Sequence, residues 1–247
     1  MTSILITAAG IAACSFIGAA VGFIFNEIPQ RTEDALSAAA AGIMLCAAIL
    51  GLAVPSLELS ENGGILMTAC GIFCGAFFLT LTDRLAPKLC ESVGMTAGDT
   101  GTKTRALLFV LAIAIHHFPE GIAAGVSFGT GDISDAVTVA GGIAFQNIPE
   151  GMVIIPPLLK TGTPKKRAAF IALISGLVEV LGAFFGYFAI SVSEAVLPFA
   201  LAFAAGSMLF VIVDDMVPQT HLRENGRLAT YALLLGFCVM LAVDSIF

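Results

Sequence analysis

Two short stretches of this chain repeat a pattern able to hold a cation. His116-His117-Phe118-Pro119-Glu120-Gly121-Ile122 is followed, thirty residues on, by Gln146-Asn147-Ile148-Pro149-Glu150-Gly151-Met152. On a helix, residues four apart lie about one turn from each other on one face. His116 and Glu120 therefore share a face, with Ser127 continuing the stripe, and Gln146 and Glu150 share another. His117 and Asn147 sit one residue along and can line a neighbouring point. A further carboxylate, Glu179, lies in Ser175-Gly176-Leu177-Val178-Glu179, and Asp214, Asp215 and His221 come later. Imidazole nitrogen combined with carboxylate oxygen suits Zn²⁺, Fe²⁺, Mn²⁺ or Cd²⁺. Mg²⁺ and Ca²⁺ more often take oxygen alone.

The elements that must position these groups are long and apolar. Of 247 residues, 58% are hydrophobic and 12% charged. A soluble domain carries about a quarter charged residues. Eight apolar blocks stand out, at roughly 3–25, 34–57, 63–83, 105–128, 135–158, 166–190, 194–216 and 228–247. A membrane-spanning helix needs about 20 such residues, whereas strands of an outer-membrane barrel are about ten long and alternate polar with apolar. The expected fold class is all-α: a polytopic membrane protein with eight transmembrane helices forming a single domain over 1–247. The first block lacks a preceding basic region and reads as a retained helix rather than a cleaved signal peptide.

Basic residues segregate along the chain. Arg31 lies between blocks one and two, and Arg84, Lys88, Lys103 and Arg105 between three and four. Lys160, Lys165, Lys166 and Arg167 lie between five and six, and Arg223 and Arg227 between seven and eight. The alternate connections carry Glu58, Glu61, Asp132, Asp135 and Glu194 instead. Lys and Arg favour the cytoplasmic side, so the pattern predicts both termini outside. Cys46, Cys70, Cys74 and Cys238 fall within apolar blocks and read as small hydrophobes.

The two motif-bearing blocks run antiparallel at similar depth. Inverted repeats with a site at their interface are a common transporter design. Pro119 and Pro149 lack an amide hydrogen, so a bend or an unwound turn is expected at each, freeing the carbonyls of Ile115 and Phe145. Gly121, Gly125 and Gly129 form a small-residue ridge suited to close helix packing. A charged side chain at the bilayer centre costs about 2.5–3.5 kcal/mol on insertion scales. No Lys or Arg lies within these helix centres, so a divalent cation or bound protons must neutralise the carboxylates.

Three functions compete: a metal transporter, a metal-sensing or storage membrane protein without flux, and an intramembrane metalloprotease. The last would show H-E-x-x-H, and here the order is H-x-x-x-E. No catalytic residue, prosthetic group or nucleic-acid partner is expected.

The doubled Pro-Glu-Gly, with His-x-x-Pro-Glu-Gly first and x-Asn-x-Pro-Glu-Gly second, resembles the signature of the ZIP family of zinc and iron transporters, in its compact prokaryotic GufA-like branch. The resemblance implies a primary metal site of His116, Glu120, Gln146 and Glu150. It implies a second, adjacent site in which His117, Asn147 and Glu179 join Glu120 and Glu150. It places Met44 near the metal entrance and Asp214 and Asp215 on the cytoplasmic exit path. It further implies import of metal, by sliding of helices one, four, five and six against a scaffold that often dimerises. Two positions depart from the family pattern: His117 stands where Asn is usual, and Gln146 where many members have His. A broad rather than strictly zinc-selective site is expected.

Overall fold

A computed structural model describes residues 2–24, 29–60, 64–92, 102–128, 133–192, 196–221 and 226–245. These residues form helices, and no strand occurs among them. The helices are α1 (Thr2–Ile24), α2 (Gln30–Leu59), α3 (Gly64–Ser92), α4 (Thr102–Ser127), α5 (Ile133–Lys160), α6 (Lys165–Val192), α7 (Leu197–His221) and α8 (Gly226–Asp244). Six of them, α1, α2, α3, α6, α7 and α8, contain a stretch long and apolar enough to cross a membrane. Their outward faces fit lipid: Ile24, Leu66 and Phe73 are 74%, 75% and 76% exposed. Water would penalise so many bare apolar side chains. The described cysteines are free, and Cys70, Cys74 and Cys238 face outward.

The helices sort into two sets by packing. Within the first, α4 lies along α6, α1 along α5, and α1 also against α6. Within the second, α3 lies along α7 and α2 along α8. Small residues make these pairings close. A Cβ on Gly121 or Gly125 would strike the carbonyl of Glu179 or Ala183 on α6, and one on Gly18 would strike that of Ile148 on α5. In the second set Gly75 meets Phe203, and Gly42 meets Leu233, in the same way. Two glycines that face the other set meet side chains instead: Gly51 faces the Val139 side chain, and Gly142 faces Met240. A shared apolar core joins them, with Met44 and Leu52 from α2, Val126 from α4, Ile143 from α5 and Leu201 and Met208 from α7.

Both α4 and α5 remain α-helical through Pro119 and Pro149. Neither unwinds, and the glycine that follows each motif glutamate packs against a neighbouring backbone: Gly121 against α6, and Gly151 against the Ser15 carbonyl of α1. Widened π-helical turns occur elsewhere, at Ala47–Ala53 of α2 and Ile212–Met216 of α7. Each ends two residues before a proline, Pro55 or Pro218, with the amide of Val54 bonding the Ile49 carbonyl and that of Val217 the Ile212 carbonyl. A proline ring crowds the carbonyl four residues back, and a turn closed over five residues makes room for it.

One hydroxyl ties three helices near the start of α7. Ser56, fully buried, donates to the Pro198 carbonyl at 2.7 Å and lies 3.0 Å from the Thr68 hydroxyl. Replacing Ser56 with Ala removes a net contribution of about 1 kcal/mol. The thermal midpoint in detergent is expected to fall by about 2–4 °C, with the metal dependence of any activity unchanged.

Candidate metal site

Three helices of the first set converge on a buried polar cluster. His117 and Glu120 come from α4, Gln146, Asn147 and Glu150 from α5, and Ser175 and Glu179 from α6. His117, Glu120, Gln146 and Asn147 are fully buried, Glu179 is 1% exposed and Glu150 8%. The side chain of His116 lies outside the described residues, as does Gly129 of the predicted glycine ridge.

The geometry is specific. One ligand atom each from His117, Glu120 and Glu150 lie within 4.8 Å of one another, close enough to hold one metal ion. His117 Nε2 is 3.9 Å from Glu150 Oε2, and its Nδ1 is hydrogen-bonded to Ser175 Oγ at 2.9 Å. The neighbouring amides of α5 reach different helices. Gln146 Nε2 donates to Glu120 Oε1 at 2.8 Å. Asn147 Nδ2 donates to both oxygens of Glu179, at 2.9 and 2.8 Å. Consecutive helix residues point about 100° apart, so one helix can address α4 with Gln146 and α6 with Asn147.

Several acceptor atoms in the cluster are unused. Glu120 Oε2, Gln146 Oε1 and Asn147 Oδ1 are buried without a hydrogen-bond partner. Buried polar atoms are nearly always satisfied, and three orphan oxygens beside a histidine and three carboxylates form a donor set suited to a cation. No Lys or Arg is buried among the described residues, so no protein cation is available there to neutralise the carboxylates.

The other candidates are not members of this three-residue group. Met44 is 1% exposed within the shared core. Asp214 is exposed and Asp215 half-buried on the widened turn of α7. His221 is held at the α7–α8 connection, 3.0 Å from the Thr230 hydroxyl and 2.9 Å from the Val217 carbonyl. Ser127 bonds back to the Ala124 carbonyl of its own helix. Ser175 was not singled out by sequence reasoning. Its signal was present, since it stands four residues before Glu179 and shares that helix face.

Apolar helices long enough to cross a membrane, around a buried His and Glu group able to hold a metal ion, define a multi-pass integral membrane protein. The chain belongs to the ZIP zinc transporter family, whose profile matches residues 94–244. It is 40% identical over 200 residues to the zinc transporter GufA of Myxococcus xanthus, covering 78% of each chain. It is 34% identical to the zinc transporter ZIPB of Bordetella bronchiseptica, over 96% of this chain and 79% of that one. It is 31% identical to the human zinc transporter ZIP11, over 92% of each.

Proposed function

We propose that this protein carries divalent transition-metal ions into the cytoplasm, with Zn²⁺ the leading substrate and Cd²⁺, Fe²⁺ and Mn²⁺ accepted. The observation that carries this reading is the buried His117, Glu120 and Glu150 group, with ligand atoms within 4.8 Å of one another, in a chain similar to named zinc transporters. His116, Glu120, Gln146 and Glu150 hold the primary ion. His117, Asn147 and Glu179 join the bridging Glu120 and Glu150 around an adjacent second ion. Met44 and the Asp214–Asp215 pair line the path on either side.

The same reading takes α1 to α8 all as spans, with both termini outside, in one domain over 1–247. Helices α4 and α5, at 26 and 28 residues, exceed the roughly 20 that a span needs. The segregated Lys and Arg support the orientation, and bacterial relatives support a bacterial inner membrane. The bilayer and a second copy of the chain are the expected partners. Sliding of α1, α4, α5 and α6 against the other helices is supported by the packing contrast. Backbones meet at glycines within each set, while Gly51 and Gly142, facing the other set, meet side chains.

The test is time-resolved uptake of Zn²⁺, Cd²⁺, Fe²⁺ and Mn²⁺ into proteoliposomes, by the wild type and the Glu120→Ala, Glu150→Ala double variant. Uptake by the wild type that vanishes in the double variant is expected. Tight metal binding without any flux would overturn the transporter in favour of a sensor or store.

A further inference from the structure

We propose that Ser175 of α6 is a positioning residue for metal binding: its hydroxyl holds the His117 imidazole so that Nε2 meets the ion between Glu120 and Glu150. The inference rests on the transport site described above and adds the residue that aims its nitrogen ligand.

A neutral imidazole has one N–H and one lone pair. For Nε2 to bind metal, Nδ1 must carry the proton and needs an acceptor, which also fixes the ring plane. Ser175 Oγ stands 2.9 Å from Nδ1, and both side chains are buried, at 1% and 0% exposure. The opposite ring nitrogen faces Glu150 Oε2 at 3.9 Å. One edge of the ring is thus held by α6 while the other looks into the carboxylate cluster.

A hydroxyl suits this place because it both donates and accepts. When the ring carries its proton on Nε2, the Ser175 O–H is the donor to Nδ1. When an ion takes the Nε2 lone pair, the proton resides on Nδ1 and is donated to the same oxygen. Ser175 can therefore remain the partner of either tautomer, its hydroxyl turning as the single ring proton changes from Nε2 to Nδ1. The anchor itself is fixed. A methyl group on the next residue, Gly176, would touch the Ser15 side chain of α1, 3.4 Å from its Cβ, so α6 is seated against α1 at this level. Glu179, one turn along the same face, is held separately by Asn147. That leaves Ser175 to serve His117.

Thr and Val have nearly the same shape and differ by the hydroxyl, so Ser175→Thr and Ser175→Val form the decisive pair, with Ser175→Ala as the smaller deletion. In proteoliposomes, Ser175→Ala and Ser175→Val are expected to raise the KM for Zn²⁺ about tenfold with little change in maximal rate. Uptake of the oxygen-preferring Mn²⁺ should change less. Ser175→Thr should restore the wild-type KM. On a His117→Ala background, Ser175→Ala should add nothing, because the group it positions is gone. Equal behaviour of the Thr and Val variants would overturn the proposal, as would a further tenfold loss on the His117→Ala background. The same variants titrated with Zn²⁺ in detergent read affinity without flux. A tenfold weaker Kd in Ser175→Val, but not in Ser175→Thr, supports the positioning role even if the wild type proves not to transport.

Discussion

Replacing Gly121 with Val is expected to abolish uptake and to remove most of the folded protein. The Cβ of any side chain there would run into the Glu179 carbonyl, and the next contacts are also backbone of α6. Backbone cannot swing aside as a rotamer can, so α4 and α6 must separate along their closest contact. Forcing extra volume into a packed interior typically costs about 1–3 kcal/mol, and a clash with backbone falls at or above the top of that range. The same displacement draws His117 and Glu120 away from Ser175 and the Glu179 level, so any protein that survives loses the site as well. Gly141→Val is the matched control. Nothing lies within 4 Å of the position its Cβ would take, and a near wild-type monodisperse peak on size exclusion is expected. If Gly121→Val retains both that peak and uptake, α4 and α6 do not pack as described.

That argument also shows how far the residues alone could lead. The ridge of Gly121 and Gly125 is legible, since small residues four apart on an apolar helix invite a neighbour. Which helix answers is not legible, because a glycine has no chemistry to name its partner. Gly151 is the plainer case: as the last residue of a Pro-Glu-Gly motif it reads as part of the ligand pattern, yet its role is to admit the Ser15 carbonyl of α1. The long apolar blocks gave the helices because length and composition suffice for that. The widened turns before Pro55 and Pro218 were not foreseen, since a proline can be accommodated by a kink, an unwound turn or a wider one, and local sequence does not choose among them.

The polar cluster divides in the same way. Repetition of Pro-Glu-Gly places Glu120 and Glu150 at equal depth on antiparallel helices, and the structure brings them together with Gln146 on Glu120. Spacing along one helix favours His116 as the residue in line with Glu120. The structure gathers His117 with Glu120 and Glu150, three residues from Glu120, a spacing that also shares a face. That trio matches part of the second site that the family resemblance implies, and the side chain of His116 lies outside the described residues. Pairing of Asn147 with Glu179 joins α5 to α6 across thirty-two residues, and no periodicity within either helix encodes it.

Glu120→Gln is expected to lower Zn²⁺ uptake by at least about 100-fold while leaving the fold intact, which separates the role of the charge from that of the shape. Gln has nearly the size of Glu and keeps a carbonyl oxygen able to accept the hydrogen bond that Gln146 now gives to Glu120 Oε1 at 2.8 Å. What disappears is the capacity to become an anionic ligand in a fully buried position, where no Lys or Arg is buried among the described residues. Without metal, bound protons neutralise the buried carboxylates, and Gln is the shape of a protonated Glu, so the metal-free variant should melt at or near the wild-type temperature. The effect of metal should differ. An ion that binds only the folded state raises its stability by RT ln(1 + [L]/Kd), or about 2.7 kcal/mol at a hundredfold excess over Kd, so Zn²⁺ should raise the melting temperature of the wild type. In the variant, with one anionic ligand gone from a three-residue group, that rise should largely vanish together with uptake. Thermal melts in detergent with and without Zn²⁺, run beside proteoliposome flux, read both halves. A variant that melts normally yet still gains the full Zn²⁺ stabilisation would show that the ion sits elsewhere. A variant that loses its fold without metal would make Glu120 a structural acid rather than a ligand.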